Sequence, residues 1–334
     1  MDMSAVSVTL VILIIVALAF DFMNGLHDAA NSIATIVSTR VLKPQYAVIW
    51  AACFNFLAFF IFGVHVANTV GKGIIDPKLV NDALIFGALF GAIAWNAITW
   101  WAGIPSSSSH ALIGGLVGAG IARAGFSSIV WSGLSKTIYA IVLSPVTGFI
   151  LGLLLVLLVS WMFVRANPAA ADGVFRKLQL ISAALYSLGH GSNDAQKTAG
   201  IIAVLLYSHG AYSEFTVPPW VILACYTVMG MGTLLGGWRI VHTMGSKITR
   251  LTPMQGSCAE TAGAITLFSA TYLGVPVSTT HTITGAIIGV GSARRFSAVR
   301  WNVATGILYA WIITMPAAAI LAAIGYWLAA AVLP

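Results

Sequence analysis

The chain has 334 residues, of which 59% are hydrophobic and only 7% are charged. Because a soluble globular domain carries about 25% charged residues, this composition excludes a soluble fold. It predicts an all-α, polytopic membrane protein embedded in the lipid bilayer. The formal net charge of +7 does not indicate nucleic-acid binding, because the basic residues stand in small groups between apolar runs, as membrane orientation requires.

The first half of the chain is a series of apolar runs, most of them of membrane-spanning length. They cover residues 6–38, 45–70, 82–102, 105–122 and 129–164. The first run is interrupted at Asn24 and Gly25, which predicts a broken transmembrane helix rather than a signal peptide. The last run has Pro145 near its middle, so it is either one kinked helix or two short spans.

A polar connector divides the chain into two membrane halves. We predict a first membrane repeat at residues 1–164, a cytoplasmic linker at 165–177 and a second membrane repeat at 178–334. The apolar runs of the second half cover residues 178–207, 217–241, 253–272, 277–293 and 297–333. The first of these runs is interrupted at residues 189–193, and the last contains Pro316. We expect about ten to twelve membrane segments, counting two re-entrant ones.

The two halves repeat each other. GIPSSSSHALIGGLVGAG at residues 103–120 recurs as GVPVSTTHTITGAIIGVG at residues 274–291, and NGLHDAANS at residues 24–32 is echoed by HGSNDAQKT at residues 190–198. A duplicated membrane chain with polar, Gly- and Pro-interrupted segments at matching positions is typical of a secondary transporter. Its binding site is expected where the two repeats meet.

The distribution of basic residues predicts that the repeats are inverted. The loop after the first apolar run carries Arg40 and Lys43, whereas the equivalent loop at residues 208–216 carries neither Lys nor Arg. By the positive-inside rule the two loops lie on opposite sides of the membrane, with the central linker inside.

The hydroxyl-rich segments are candidate anion sites. Pro105 and Pro276 suit the first turn of a helix, so the hydroxyls that follow them would line the N-terminus of that helix. Free N–H groups and the positive end of the helix dipole favour an anion there. The predicted substrate-binding hydroxyls are Ser106, Ser107, Ser108, Ser109, Ser278, Thr279 and Thr280. The alternative is that they satisfy backbone groups or tighten helix contacts.

Two acidic motifs are candidate sites for a coupling ion. Asp28 and Asp194 lie in apolar sequence beside Asn31 and Asn193, and a charged residue at membrane depth is costly unless it is paired or hydrated. Two carboxylates near a dianion repel it, and a coupling cation, Na⁺ or H⁺, removes that repulsion. If the ion is sodium, Asp28 and Asp194 are its predicted metal ligands. The alternative is that Asp28 caps a restarted helix and faces water.

Four further side chains belong to the predicted site, each with an open alternative. Lys197, one helical turn after Asp194, either contacts the anion, pairs with Asp194 or snorkels to the membrane surface. Glu260 is either a third acid of the ion path or a cap near the membrane surface. His110 and His281 follow the hydroxyl clusters, and each either donates to the substrate or bonds a carbonyl within the re-entrant turn.

These motifs resemble those of the PiT family of inorganic phosphate transporters. The resemblance rests on GLHDAANS, GSNDAQKT, GIPSSSSH and GVPVSTTH and covers essentially the whole chain. It implies an inverted-repeat symporter of the inner (plasma) membrane that binds phosphate between the acidic motifs and the hydroxyl segments. It also implies a homodimer and H⁺ or Na⁺ coupling without another cofactor; some bacterial members carry a divalent metal together with phosphate. His27, where many members have Asn, favours H⁺ coupling; the short linker resembles that of a compact prokaryotic member.

Other functions fit the sequence less well. A sulfate permease of the same fold is the main alternative, but fully ionised sulfate has no proton to donate to a carboxylate, whereas phosphate near neutral pH has one. An intramembrane hydrolase needs a serine and its base placed together in space, which adjacency in SSSSH does not establish. Duplication of the motif favours transport over a single nucleophile, so we predict that the protein is not an enzyme. A passive channel is the remaining alternative.

Overall fold

The computed structural model describes residues 7–332, and within them the chain is helical apart from short connections. The first repeat contributes α1 (Val8–Ser38), α2 (Pro44–Leu57), α3 (His65–Gly73), α4 (Asp82–Ala102), α5 (Ser108–Ala124) and α6 (Trp131–Met162). The second contributes α7 (Pro168–Ser208), α8 (Pro219–Leu235), α9 (Trp238–His242), α10 (Pro253–Tyr272), α11 (Thr279–Arg294) and α12 (Trp301–Ala330). The outermost residues of the two predicted repeats, 1–6 and 333–334, lie outside this range.

The first helix of each repeat is continuous. The breaks predicted at residues 24–25 and 189–193 are wrong, because α1 and α7 run through them. A glycine in a helix interior costs only about 1 kcal/mol, and here it allows close packing. A Cβ on Gly25 would lie 2.2 Å from the carbonyl oxygen of Met229 on α8, and one on Gly191 would lie 2.4 Å from that of Asn55 on α2.

The bent spans are instead the second ones of each repeat. α2 with its short 3₁₀ extension meets α3 at 84°, and α8 meets the helix that begins at Trp238 at 65°. At the second bend Gly236 has a φ of +67°, which is the left-handed region that favours glycine. The predicted broken helices therefore exist, one span later than expected.

The long apolar runs each form one helix. α6 contains Pro145 and α12 contains Pro316, so the choice between one kinked helix and two short spans is settled in favour of one. Among residues 7–332, five helices are long and apolar enough to cross a membrane, or seven if each bent pair counts as one span. The ten to twelve segments expected are a broader count, because helices such as α7 and α10 fall outside this test of length and hydropathy.

Antiparallel packing of α1 and α7 shows that the repeats are inverted. Thr198 donates to Asp21 over 2.9 Å, and Thr39 donates to Gln179 over 2.9 Å. The earlier residue on α1 thus contacts the later residue on α7, and the later residue on α1 contacts the earlier one on α7. The first helices of the two repeats are therefore antiparallel. The polar connector between the repeats is itself largely helical, since α7 begins at Pro168 after the N-cap Asn167.

The last helix of each repeat packs over the hairpin of the other. α12 packs against α4 and α5, and α6 packs against α10 and α11. A Cβ on Gly118 would lie 2.1 Å from the carbonyl oxygen of Ala319, and one on Gly289 would lie 2.2 Å from that of Phe149. Packing of each last helix against the hairpin of the other repeat holds the tips of the α4–α5 and α10–α11 hairpins in the middle of the molecule.

Candidate functional site

Each hydroxyl-rich segment forms the tip of a helical hairpin. α4 and α10 end just before Gly103 and Gly274, whose φ values are +68° and +66°. A short non-helical stretch then leads into α5 or α11, whose N-terminus lies inside the protein. Both segments are re-entrant, as predicted.

The two prolines do not occupy the first helical turn. Pro105 and Pro276 lie before the N-caps, which are Ser107 and Ser278. The hydroxyl of Ser107 accepts from the His110 N–H at 3.2 Å, and that of Ser278 from the His281 N–H at 3.1 Å. These two hydroxyls therefore satisfy helix N–H groups, which is the alternative role considered for them.

The acidic motifs meet at one buried centre. Asp28, His190 and Asp194 each offer a ligand atom, and the three atoms lie within 4.8 Å of one another. Asp28 is 1% exposed and Asp194 is 0% exposed, so neither faces water in this conformation. Asp28 also lies 2.7 Å from Nδ1 of His27. Because Asp28 is in the middle of α1, it is not a cap of a restarted helix.

Lys197 pairs with Asp194 and does not snorkel. Its side chain is 2% exposed, and Nζ donates to Asp194 over 2.6 Å, to Ser109 over 2.5 Å and to the carbonyl of Val277 over 2.7 Å. Asp194 also accepts from Thr279 over 3.0 Å. One ammonium group thus connects α7 to the tips of both hairpins.

Asn31 connects the first repeat to the tip of the second hairpin. Its Nδ2 donates to Thr280 over 2.9 Å and to Thr279 over 3.2 Å. Asn193 has a different place. It donates to Thr271 and accepts from the Val277 N–H at 3.2 Å, so its amide holds the hairpin tip in position.

The two motif histidines face each other across the hairpin tips. Their ring centroids are 4.2 Å apart, and His281 stacks on Trp311 at 3.6 Å. Neither ring nitrogen of His110 or His281 has a hydrogen-bond partner within residues 7–332, and the hydroxyl of Ser108 also lacks one. Within the described residues, neither ring bonds a carbonyl of its own re-entrant turn, which was the alternative role considered for these histidines. Buried polar atoms are normally paired, so these atoms are available to a small polar ligand.

Within residues 7–332, two predicted residues make no hydrogen bond to Asp28 or Asp194. Ser106 donates to Thr99 over 2.9 Å and lies 3.3 Å from His27. Glu260, which is 0% exposed, accepts from Thr35 over 2.6 Å and from Ser182 over 2.5 Å. Thr35 is two turns from Asp28 on α1, about 10 Å along the axis. Glu260 is therefore neither a helix cap nor a ligand of the same ion as Asp28.

Several buried polar residues around the centre were missed in the sequence. They repeat at helical spacing on α1 and α7, which is the signal that would have found them. The missed residues are Asp21, Ser32, Thr35 and Thr39 on α1 and Gln179, Ser182, Tyr186 and Thr198 on α7. His190, which flanks the second acidic motif and was expected to take part in proton movement, is part of the buried centre itself.

Together, the fold and this centre define a class. Two inverted repeats enclose carboxylates, one ammonium group and many hydroxyl donors at a place that both repeats build. That arrangement is characteristic of membrane transporters built from inverted repeats.

Comparison with known proteins gives the family. The model of the phosphate transporter family matches residues 24–322. A protein of Rhizobium meliloti named probable low-affinity inorganic phosphate transporter is 70% identical over 98% of this chain and 99% of its own length. A Bacillus subtilis protein of the same name is 46% identical over 95% of this chain and 96% of its own length. The chain belongs to the phosphate transporter family.

A solved structure confirms the fold. The structure titled the sodium-dependent phosphate transporter superposes with a TM-score of 0.91 over 98% of this chain and all of that one, at 26% identity. Since the family and these relatives are transporters, the chain is a multi-pass membrane transporter. The alternative of an intramembrane hydrolase, with a serine of SSSSH as nucleophile and His110 as its base, is wrong.

Proposed function

We propose that the protein imports inorganic phosphate across the inner (plasma) membrane by symport with Na⁺ or H⁺. The relatives named as phosphate transporters support the substrate, and the sodium-dependent structural neighbour supports ion coupling. The observation that carries the proposal is the charge of the buried centre. Lys197 neutralises Asp194, whereas the ion-pair partner of Asp28 among residues 7–332 is His27, with His190 and Asp194 nearby.

Coupling follows from that charge. With both histidines neutral the centre is negative, and a phosphate dianion placed beside it is repelled at low dielectric. A cation bound by Asp28 and Asp194 removes the repulsion, so substrate and cation bind together. Asn31 fixes the hairpin hydroxyls next to these carboxylates.

The anion has a matching set of donors. Lys197, Ser108, Ser109 and the paired imidazoles of His110 and His281 are buried around the N-termini of α5 and α11. Both helix ends add free N–H groups and the positive end of their dipoles. Thr279 and Thr280 complete the set from the second repeat. Ser106 and Asn193 act indirectly, by holding the hairpin tips in position. Ser107 and Ser278 also act indirectly, by capping α5 and α11.

Transport requires the centre to open. Asp28 and Asp194 are sealed from water, so a route must form first on one side and then on the other. In inverted-repeat transporters such access alternates through movement of one bundle against the other around a fixed site. The α4–α5 and α10–α11 hairpins, which hold the donors, are the elements that we propose move relative to α1 and α7.

The buried centre offers ligands for more than one coupling ion. Oxygen ligands at Asp28 and Asp194 suit Na⁺, while His27 at 2.7 Å from Asp28 provides a group that accepts a proton. The Asp28, His190 and Asp194 cluster also suits a divalent metal carried with phosphate. We propose further that the protein works as a homodimer, as the family resemblance implies; cross-linking in native membranes tests this.

Uptake of radiolabelled phosphate into proteoliposomes tests the proposal. Na⁺ and proton gradients are imposed separately, with and without Mg²⁺ and with sulfate as competitor. Uptake driven by one gradient and unaffected by sulfate is the expected result. Uptake that responds to neither gradient contradicts symport and favours a passive channel, and accumulation of labelled sulfate in place of phosphate supports the permease alternative.

A further inference from the structure

A second buried carboxylate lies on α1, two helical turns before Asp28. Asp21 is 0% exposed and lies about 10 Å from the level of Asp28 along the helix axis. Its Oδ1 accepts from the Thr198 hydroxyl on α7 over 2.9 Å, while its Oδ2 has no hydrogen-bond partner within residues 7–332. The acidic motifs do not include this residue.

A second unpaired oxygen lies beside it. Asn24 is one turn further along α1, its side chain approaches the Asp21 carboxylate, and it is only 3% exposed. Its Oδ1 also lacks a partner within the described residues. Residues at this spacing lie on the same face of a helix. Two unsatisfied oxygens thus lie one turn apart on the same face of α1, beside the Thr198 hydroxyl that bonds Asp21.

Within residues 7–332, no basic side chain forms an ion pair with Asp21. The ion pairs of the described part of the chain involve Asp28, Asp82, Asp172 and Asp194, and none involves Asp21. On its other side α8 presents the thiol of Cys225. An ionised carboxylate buried at membrane depth without a partner is strongly unfavourable, so Asp21 is neutralised there either by a proton or by a bound cation.

The position of Asp21 relates it to the rest of the polar path. Asp21, Asp28 and Thr35, which binds Glu260, recur at every second turn along one face of α1. Three carboxylate centres therefore follow one another across the protein, with the Asp28–Asp194 centre in the middle. Asp21 and Glu260 do not occupy equivalent positions of the two repeats, so duplication alone does not account for them.

We propose that Asp21, Asn24 and Thr198 form an additional Na⁺ site on the side of the centre towards the start of α1. The ligands are oxygens only, two of them free, which is the donor set a hard cation takes. Na⁺ bound there neutralises Asp21 and occupies a position on the ion path next to the central site. This inference rests on the proposed ion-coupled function and adds a place on its path.

The direct test is binding of radiolabelled Na⁺ to the purified full-length protein without phosphate. The variants are Asp21→Asn, Asn24→Ala and Thr198→Val, with Asp172→Asn, an exposed carboxylate paired only with Arg176, as the matched control. We expect Asp21→Asn to bind one Na⁺ fewer per chain than wild type and the control. Asn24→Ala and Thr198→Val should weaken one site by about tenfold, which is the loss of one moderate ligand contact.

Folding is checked by size-exclusion elution and thermal unfolding, and Asn24→Ala keeps the test valid if Asp21→Asn does not assemble. Unchanged Na⁺ stoichiometry and affinity in the folded variants would overturn the site, as would wild-type protein that binds no Na⁺. Phosphate uptake separates the two ideas. Wild type that binds no Na⁺ but accumulates phosphate on a proton gradient defeats this site and leaves the proposed function standing. Wild type without gradient-driven uptake defeats the proposed function, while the binding data decide the site.

Discussion

Lys197 and Asp194 form a buried ion pair one helical turn apart on α7, with 2.6 Å between the ammonium nitrogen and Oδ1. The same nitrogen donates to Ser109 at the tip of α5 and to the Val277 carbonyl before α11. The pair therefore has two roles: it neutralises one of the two central carboxylates, and it ties α7 to the tips of both hairpins. Asn31 occupies the equivalent position in the first repeat, so the two halves of the site are chemically different.

Replacing Lys197 by Met should destabilise the protein by about 3–5 kcal/mol, because a buried carboxylate loses its partner. Phosphate uptake should be abolished as well. Thermal unfolding in detergent measures the first effect. The double variant Asp194→Asn/Lys197→Met should be more stable than Lys197→Met alone, since no unpaired charge remains. Lys177→Met, on an exposed part of α7, is the control and should behave as wild type. Equal unfolding of the single and double variants would contradict the pairing.

Asp28→Asn and Asp194→Asn should each abolish phosphate accumulation by the protein that reaches the membrane. Asp194→Asn should also lower stability, because it leaves Lys197 buried without its partner. Each change keeps the size of the side chain and removes a charge that the coupling cation needs. Uptake into proteoliposomes, normalised to reconstituted protein, is the measurement, and Asp172→Asn is the exposed carboxylate control. Wild-type uptake by both variants would rule out the central site.

The hydroxyls should separate into two groups. Ser107→Ala and Ser278→Ala remove N-caps, so they should lower stability by about 1 kcal/mol each and leave the phosphate KM unchanged. Ser109→Ala removes a partner of Lys197 beside the anion, so it should raise KM with little change in unfolding temperature. Concentration dependence of uptake and thermal unfolding, measured on the same preparations, give both quantities. If Ser107→Ala and Ser278→Ala instead raise KM without changing stability, then Ser107 and Ser278 bind the substrate.

Much of the fold was predictable from sequence because duplication is visible in the residues themselves. The repeats, their inversion and the re-entrant tips follow from matching Ser/Thr segments and from the position of basic residues. The helix breaks were misplaced because a glycine marks either a break or a close approach. Gly25 packs against α8, whereas Gly236 allows the turn, and local sequence does not distinguish the two.

The candidate site was predictable in part for a related reason. Asp28 and Asp194 are conspicuous in the sequence because each is a charge in an apolar run, and the structure brings them together. Ser107 was predicted to bind the anion. Whether a serine caps a helix depends on where the helix begins, and the sequence locates that position only within a few residues. The contacts of Glu260 with Thr35 and Ser182 join distant parts of the chain, so only the folded structure shows them.

Close packing of each hairpin against the last helix of the other repeat should make two glycines intolerant of any side chain. A Cβ on Gly118 or Gly289 would lie 2.1 Å or 2.2 Å from a backbone carbonyl oxygen. Backbone cannot yield as a flexible side chain does, so Gly118→Ala and Gly289→Ala should each lower stability by about 1–3 kcal/mol. Gly118→Leu should prevent assembly.

Gly173→Ala is the matched control for this packing, because nothing lies within 4 Å of a Cβ there and the position is in the exposed first part of α7. Alanine is the better helix former by about 1 kcal/mol, so this variant should be as stable as wild type or slightly more so. Thermal unfolding in detergent compares the variants. Because α5 and α11 carry the anion donors, loss of the Gly118 or Gly289 contact should also lower phosphate uptake. If Gly118→Ala and Gly289→Ala unfold at the same temperature as Gly173→Ala, then α12 does not pack against α5, nor α6 against α11, as closely as the structure indicates.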